Sequence, residues 1–355
     1  MNDFVYDALP GRVVFGAGRR AGIDREVDAL GLGRVMLIAD DNAKATADEV
    51  AGILGDRVVA RWHEVAQHVP TELADAAREA ARDAGADGIV CVGGGSTTGL
   101  AKAIVLVAEI PIVALPTTYA GSEMTPIYGL TGEHKDTGRD VRVLPRTVVY
   151  DPELTVALPT EVTAPSAFNA IAHCVEALYG PGANPITSLM AEESIRVTAT
   201  ALPRVIETPD DLDGRSDLLY GAYLAGAALA VVGMALHHKI CHVLGGTFGL
   251  VHGEVNVVVL PHVIAFNASD APDAIARVGA AVGEDDPAAA LFDLAARVGA
   301  PTALAALGMA EDDLAVAAER AAAETTFNPR AVHVDGVLRL LDEAWHGYRP
   351  TIAAS

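Results

Sequence analysis

Residues 88–103 read G-I-V-C-V-G-G-G-S-T-T-G-L-A-K-A, and this stretch decides the fold. Its first six residues form a short apolar run typical of a buried strand, and helical spacing begins near Thr97. The glycines between them let backbone N–H groups and the positive end of a helix approach a phosphate. A tight turn that only needs glycine's freedom would look similar, but Ser96 beside three consecutive glycines favours phosphate binding. We therefore predict that a phosphate-containing cofactor contacts Gly93, Gly94, Gly95 and Ser96.

Strands and helices alternate on both sides of this stretch. Short apolar runs bounded by Gly, Pro or Asp also occupy 34–40, 111–116 and 147–151, and helical spacing occupies 71–84 and 97–108. Such alternation indicates a parallel sheet wound by helical crossovers. We predict an α/β domain with a parallel sheet over residues 1–155.

The strand signals end near residue 155. Ala-rich segments with helical periodicity follow at 163–179, 185–203, 213–245, 287–299, 310–324 and 332–346. These segments predict an all-α domain over residues 156–355. The apolar segment 221–236 is rich in small residues and short for a membrane span, so we expect a helix buried in this domain.

Composition excludes some classes of partner. The 355 residues carry a formal net charge of -22 and are 51% hydrophobic, which fits a globular protein and argues against nucleic acid or an anionic membrane as partner. Cys91, Cys174 and Cys241 lie far apart, so we expect them in the core of a reduced, cytoplasmic protein. The first residues have no basic segment followed by an apolar run, which is consistent with that location.

Two other places in the first domain are candidates for cofactor contact. The loop P-T-T-Y-A-G-S-E-M-T-P at 116–126 follows a predicted strand and is rich in hydroxyl groups, so we predict contacts from Thr117, Thr118 and Ser122. Asp40 ends another strand and could accept hydrogen bonds from a ribose diol, where its charge would disfavour a 2′-phosphate. The alternative for Asp40 is a helix cap.

Polar side chains are concentrated in two segments of the second domain. In F-N-A-I-A-H-C-V-E at 168–176, Asn169 and His173 share a helix face. In H-H-K-I-C-H-V-L-G-G-T-F-G-L-V-H-G-E at 237–254, His238 and His242 share a face and His252 follows a Gly-rich turn. A lone histidine is usually a core residue, but a cluster beside a buried helix favours a functional site.

The order of these motifs resembles the iron-containing (group III) alcohol dehydrogenases over essentially the whole chain. The resemblance implies a dehydroquinate synthase-like architecture, in which an N-terminal dinucleotide-binding domain precedes a helical domain and the active site lies between them. In that family an Asp and three His hold a metal. The matching positions here are Asn169, His173, His238 and His252, and His242 matches a further active-site histidine.

Two departures indicate one branch of the family. Asn169 replaces the anionic ligand, which removes much of the attraction for a divalent cation, and Gly99 stands where alcohol dehydrogenases usually have Asp. G-G-G-S-T-T-G-L-A-K-A, T-G-R-D-V-R-V-L-P-R-T-V-V-Y-D at 137–151 and F-N-P-R at 327–330 resemble the maleylacetate reductases. That resemblance implies metal-independent reduction of the carbon–carbon double bond of maleylacetate to 3-oxoadipate by NADH, or alternatively NADPH, in the breakdown of aromatic compounds. It also implies a homodimer.

The resemblance and the chemistry together give expected roles. Hydride addition to an enone leaves an enolate, which hydrogen-bond donors can stabilise, and we expect His173, His238, His242 and His252 to supply them, with His242 as the proton donor. The dianionic substrate needs polar and cationic contacts, for which the candidates are Asn169, Lys239, Arg330 and Arg142. Of the cationic candidates, only Arg330, within F-N-P-R, gains support from the resemblance. Lys135, with Arg139 nearby, lies where the family lets a basic residue approach the cofactor.

Two alternatives remain at this stage. A metal-dependent alcohol or polyol dehydrogenase could tolerate Asn169 by using its three histidines, and would contain stoichiometric iron or zinc. A non-catalytic cofactor-binding protein would bind NADH without turnover, and the retained histidines argue against it.

Overall fold

The computed structural model describes residues 4–9, 11–132 and 135–352, with the side chain of Lys135 outside the described part. The chain divides into two compact units. One unit comprises Asp7–Leu158, and the other comprises Pro159–Ser355 together with the N-terminal stretch that ends at Tyr6. The first unit is α/β and the second is helical.

The first unit is built on a six-stranded parallel sheet, which confirms the predicted fold class. Its strands follow the order β1-β8-β5-β4-β2-β3, and β6 and β7 form a separate antiparallel pair. The strand bounds are β1 Arg12–Phe15, β2 Val35–Ala39, β3 Val58–Trp62, β4 Gly88–Gly93, β5 Ile112–Pro116, β6 Ile127–Thr131, β7 Lys135–Arg139 and β8 Thr147–Tyr150.

Four helices connect these strands: α1 Ile23–Ala29, α2 Lys44–Leu54, α3 Thr71–Asp83 and α4 Gly95–Ala108. From β2 the chain continues to the edge strand β3, then returns to the other side of β2 for β4 and continues outward to β5. The direction of winding therefore reverses between β2 and β4. In open parallel sheets, ligands bind outside the carboxyl ends of the strands at such a reversal.

The second unit contains nine helices among the described residues, which confirms the predicted all-α character. They are α5 Thr160–Tyr179, α6 Pro185–Glu207, α7 Leu212–Val232, α8 Leu236–Phe248, α9 His252–Asn267, α10 Pro272–Val282, α11 Pro287–Arg297, α12 Leu314–Glu324 and α13 Val334–His346. The three cysteines are free and buried, as expected.

One predicted helix is two helices. The segment predicted as continuous over 213–245 breaks between α7 and α8, and Gly233 at the break has a φ of +88° that side chains rarely adopt. No single helix of the described chain is long and apolar enough to cross a membrane. The pair α7 and α8 passes that test only when taken together, and the two are bent by 100°. Both helices bury most of their apolar side chains inside the second unit.

The helices α5 and α9 run side by side in the same direction. A Cβ on Gly253, at the start of α9, would lie 3.0 Å from Pro165 in the first half of α5. At their other ends, Asn267 at the end of α9 interacts with Tyr179, the last residue of α5. The first turn of α9 is therefore beside the part of α5 one turn before Asn169.

Candidate active site

The structure brings the four predicted catalytic histidines together. His173 comes from α5, His238 and His242 from α8, and His252 is the first residue of α9. The rings of His173 and His238 are stacked with centroids 4.8 Å apart, and those of His242 and His252 are stacked at 5.8 Å. His238 and His242 connect the two pairs, edge to face at 6.4 Å. The i, i+4 spacing on α8 produces this connection, because it places both rings on one helix face.

Burial divides the cluster into an inner and an outer pair. His173 and His238 are 6% and 2% exposed, whereas His242 and His252 are only partly buried. Burial, reinforced by the neighbouring histidines, lowers the pKa of His173 well below its usual value and that of His238 to about 3. The inner pair is therefore neutral at pH 7. The outer pair, His242 and His252, is more accessible to a substrate and to protons from solvent than the inner pair.

Sequence reasoning missed Glu176, a fully buried carboxylate three residues after His173 on α5. Its Oε2 accepts hydrogen bonds from Nδ1 of His238 at 2.7 Å and from the backbone N–H of Ala235 at 2.8 Å. Burial raises the pKa of Glu176. The charge of a protonated His237 and hydrogen bonds from the backbone N–H groups of Ala235, His237 and His238 would act against that rise. The available signal was its i, i+3 spacing from His173.

When Glu176 is ionised, the hydrogen bonds around it favour one tautomer for each of two histidines. Nε2 of His237 lies 3.3 Å from the carbonyl oxygen of Asn256, which can only accept, so Nε2 carries the hydrogen. Nδ1 of His237 is then a lone pair, 3.4 Å from Nδ1 of His238. Nδ1 of His238 carries a hydrogen toward Glu176, which leaves Nε2 of His238 as a lone pair. In this tautomer neutral His238 presents a lone pair at Nε2, and its role as an enolate donor stays a prediction.

The four positions predicted from the family lack the anionic ligand that attracts a divalent cation. In the described part of the chain, one group of three potential ligands has its ligand atoms within 4.8 Å of one another, namely Glu176, His237 and His238. That group is fully buried, and within it Oε2 of Glu176 and Nδ1 of His238 are hydrogen-bonded to each other. His173, His238 and His252 do not form such a group, and Asn169 offers no negative charge beside them.

The structure separates the two predicted cationic anchors of the second unit. Lys239 follows His238 on α8, is partly buried, and shares a helix face with His242 at i, i+3. Arg330 instead donates from Nη1 to the carbonyl oxygen of Phe266 at 2.9 Å and stacks on that ring. Phe266 is near the end of α9, whose 16 residues span about 24 Å from His252 onward. Arg330 thus lies near the end of α9, away from His252, and its predicted contact with the substrate stays a prediction.

In the first unit, the predicted phosphate turn lies at the carboxyl end of β4, and α4 begins at Gly95. Gly93 has a φ of +155°, and a Cβ there would lie 2.3 Å from Oγ1 of Thr97. A Cβ on Gly94 would lie 2.9 Å from the methyl group of Thr118, and the N–H of Thr117 donates to the carbonyl of Gly93 at 3.1 Å. The glycines thus allow the turn and the loop after β5 to pack together, which groups these predicted cofactor residues.

Gly99, the second departure from the alcohol dehydrogenases, is also explained by packing. A Cβ at this position would lie 3.0 Å from a methyl group of Val69. Val69 is buried and has a φ of +45°, which is strained for a β-branched residue. A longer side chain at position 99 would meet the space that Val69 occupies.

Asp40 lies at the carboxyl end of β2, on the other side of the winding reversal. Its Oδ1 accepts a hydrogen bond from the N–H of Ala43 at 3.0 Å. One oxygen of Asp40 therefore caps the turn, as the alternative predicted. Next to it is a cavity of about 470 Å³ lined by Asp41, His63, Glu64, Val65, Ala66 and Leu73. A sugar–phosphate that enters here meets several carboxylates.

The structure adds little to the predicted ligand contacts of the other basic residues in the first unit. The predicted contact of Lys135 rests on a side chain outside the described part, although its backbone lies in β7. Arg142 is bound to Asp140 and Glu109 at the surface, so its charge is already neutralised there. Sequence reasoning also missed Lys102 and Glu123, two fully buried charged side chains beside the loop at 116–126.

Comparison with known proteins assigns both units to one enzyme family. Residues 10–152 match the family described as iron-containing alcohol dehydrogenase, and residues 163–345 match the C-terminal domain of the same family. A maleylacetate reductase of Burkholderia cepacia is 50% identical over 352 residues, covering 99% of this chain and 100% of that protein. One of Sphingobium indicum is 48% identical over 351 residues, covering 99% of both.

A solved structure gives the same result. The crystal structure of maleylacetate reductase from Agrobacterium tumefaciens superposes with a TM-score of 0.95 at 46% sequence identity, covering 99% of this chain and 100% of that one. Sequence and fold thus agree over the whole length of both units. The chain belongs to the iron-containing alcohol dehydrogenase family of oxidoreductases and, within it, to the maleylacetate reductase branch.

Proposed function

We propose that this enzyme reduces the carbon–carbon double bond of maleylacetate to give 3-oxoadipate, with NADH as the preferred hydride donor, in the degradation of aromatic compounds. The observation that carries the proposal is the histidine cluster, which is complete at His173, His238, His242 and His252 while Asn169 replaces the anionic metal ligand. The similarity to maleylacetate reductases over the full chain supports it.

The proposed chemistry follows from the enone. NADH delivers a hydride to the alkene carbon β to the ketone, the alkene electron pair moves toward the ketone, and an enolate forms. A hydrogen bond to the enolate oxygen stabilises this charge, and a proton added to the α carbon completes the reduction. The partly exposed His242 and His252 are the donors that a substrate can reach, and His242 is our choice for the proton. The inner pair shapes the pocket wall behind them.

Substrate binding needs local positive charge in a chain of net charge -22. Lys239 is our candidate for one carboxylate, because it lies beside His242 and forms no ion pair with the described acidic side chains. The Asn169 amide is a candidate for a neutral contact to the substrate.

For the cofactor, we propose that Gly93, Gly94, Gly95 and Ser96 hold the pyrophosphate and that Thr117, Thr118 and Ser122 contact it from the neighbouring loop. Asp40 would bind the adenosine ribose. Its charge, next to a cavity lined by further carboxylates, supports NADH over NADPH. Lys135 is a further candidate for contact with the cofactor.

We also propose that the enzyme needs no metal, acts in the cytoplasm as a homodimer, and has neither nucleic acid nor membrane as partner. The missing carboxylate at Asn169 supports the first point. The net negative charge argues against nucleic acid and membrane as partners, and the three free, buried cysteines support the cytoplasmic location. The homodimer rests on the resemblance to the maleylacetate reductases.

A metal-dependent alcohol dehydrogenase is the second candidate, and one observation favours it. Glu176 holds Nδ1 of His238 and leaves the Nε2 lone pair without a hydrogen-bond partner among the described residues. Carboxylates hold metal-ligating histidines in the same way. The two candidates differ in substrate and in their response to metal.

One experiment separates them. Enzyme freed of metal by chelation is assayed for NADH and NADPH oxidation with maleylacetate and with simple aldehydes, and its metal content is measured. We expect full turnover of maleylacetate without metal. Turnover of aldehydes alone, and only after iron or zinc is restored, would overturn the proposal.

A variant tests the role of His242 in the same assay. Replacing the proton donor by Ala should lower kcat by about 10² to 10⁴, the usual contribution of general acid catalysis. His333→Ala, at an exposed position outside the cluster, is the matched control and should leave kcat unchanged. Equal kcat for the wild type and His242→Ala would contradict this assignment.

A further inference from the structure

The first unit contains a buried lysine that the proposed chemistry does not use. Lys102 lies on α4 and is fully buried. Its Nζ donates to the carbonyl of Ser122 at 2.6 Å, to Oγ1 of Thr125 at 3.0 Å and to the carbonyl of Ile127 at 2.8 Å. Three good acceptors match the three hydrogens of an ammonium group. All three belong to the segment that follows β5.

The same segment supplies the opposite charge. Glu123 is 2% exposed, and its Oε1 accepts from the hydroxyl of Tyr150, at the end of β8, at 2.6 Å. Burial lowers the pKa of Lys102 to about 7 and raises that of Glu123, and in each case the charge of the other side chain opposes the effect of burial. Removing one member of such a pair leaves an uncompensated buried charge.

These contacts fix the far end of a loop whose near end meets the phosphate turn. At the near end, Thr117 donates to Gly93 and Thr118 packs on Gly94. At the far end, Lys102 binds the segment from α4 and Tyr150 binds it from β8. The helix that begins at the phosphate turn thus also holds the loop that carries the other predicted cofactor contacts.

We propose that Lys102 and Glu123 are positioning residues for the dinucleotide: the buried pair holds the loop 117–126 in the conformation that presents Thr117, Thr118 and Ser122 to the cofactor. The pair touches neither cofactor nor substrate in this role. The proposal rests on NADH as the cofactor. Loss of the pair should therefore weaken cofactor binding and leave the rate of the chemical step unchanged.

A double-mutant cycle tests the proposal, using Lys102→Met, Glu123→Gln and the double variant. NADH affinity is measured without substrate by the change in nicotinamide fluorescence, and kcat is measured at saturating NADH. We expect Lys102→Met to raise the Kd for NADH by at least about tenfold while kcat changes by less than about threefold. The double variant should bind NADH more tightly than Lys102→Met alone, because Glu123 is then no longer a buried charge without a partner.

Two further variants keep the test informative if Lys102→Met does not fold. Tyr150→Phe removes only the hydroxyl that binds Glu123 and should raise the Kd for NADH by about threefold to tenfold without affecting kcat. Glu79→Gln, at an exposed position of α3, is the matched control for Glu123→Gln and should change nothing. Unchanged NADH affinity in Tyr150→Phe and Lys102→Met, or additive losses in the cycle, would overturn the proposal. Wild-type enzyme that binds no NADH would instead overturn the proposed cofactor.

Discussion

Asp40 gives the most direct test of cofactor choice, because one substitution separates its two roles. One oxygen of Asp40 caps the turn at Ala43, and the side chain is proposed to bind the adenosine ribose. Ser accepts the same capping hydrogen bond, so Asp40→Ser removes the negative charge and keeps the local backbone. Any change in cofactor preference then comes from the charge and the ribose contact.

The expected magnitude has two parts. A 2′-phosphate with about two negative charges, roughly 5 Å from Asp40, is repelled by about 1.7 kcal/mol even at the dielectric constant of water, so removing the charge favours NADPH by about tenfold or more. Loss of a charged hydrogen bond to the ribose of NADH costs about 1.5–3 kcal/mol, a factor of roughly 10 to 100. The ratio of kcat/KM for NADPH to that for NADH should therefore rise by about 10² to 10³.

The assay measures initial rates of maleylacetate reduction at 340 nm with each cofactor, at low salt and again at high salt. High salt should reduce the shift for NADPH, because the repulsion is screened. Asp56→Ser is the matched control, since Asp56 is exposed outside this cavity and should leave the ratio unchanged. An unchanged ratio in Asp40→Ser, in enzyme that melts at the wild-type temperature, would refute the assignment of Asp40 to the ribose.

Three further outcomes are expected. Gly95→Ala should fold normally, because the nearest atom to the new Cβ is 3.5 Å away. It should raise the Kd for NADH at least about tenfold by blocking the pyrophosphate. An unchanged Kd in fluorescence titrations would argue against this turn as the phosphate site. Asn169→Asp should raise the affinity for Co²⁺ at least about tenfold, followed by its visible absorption, and equal spectra for both proteins would count against metal loss at this position. His262→Leu tests acid stability. Burial lowers the pKa of His262 from 6.5 to about 4, so the unfolded chain binds the extra proton between these values and wild-type stability falls as pH decreases from about 6.5 to about 4. Denaturant unfolding should show the variant losing about 3 kcal/mol less than the wild type across this window, and parallel losses would exclude this histidine as the cause.

The sequence predicted the central strands and missed the edges for a physical reason. β2, β4 and β5 are buried along their whole length, and fully buried strands have continuous apolar runs. β1 and β3 are the edge strands, and their residues are only partly buried, so the apolar signal is weaker. The sequence did not predict the helix α9. Its run of valines is typical of a strand, and Pro261 is rare both in strands and in helix interiors.

The site could be predicted only as far as local spacing reaches. Helical periodicity and the family motifs identified the four histidines, because i, i+4 spacing alone puts two of them on one face of α8. Periodicity does not say which end of a neighbouring helix a distant residue meets, and so it could not place Arg330 at the far end of α9. Glu176 and Lys102 were missed because their importance comes from burial and from partners far along the chain.

The buried carboxyl group of α5 explains why Asn at position 169 would suit the proposed metal-free reduction of an enone. Glu176 remains, hydrogen-bonded to His238, and a second carboxylate at position 169 would lie two helical turns away on the same face. A divalent cation would balance both charges. Without the cation, a carboxylate at 169 would repel a dianionic substrate by about 1 kcal/mol per charge at roughly 4 Å in water, and by more in a partly buried site. Asn169 removes this repulsion and keeps a hydrogen-bonding side chain. In metal-free enzyme, Asn169→Asp should therefore raise the KM for maleylacetate more than it lowers kcat, which is the opposite of what loss of a catalytic residue would produce.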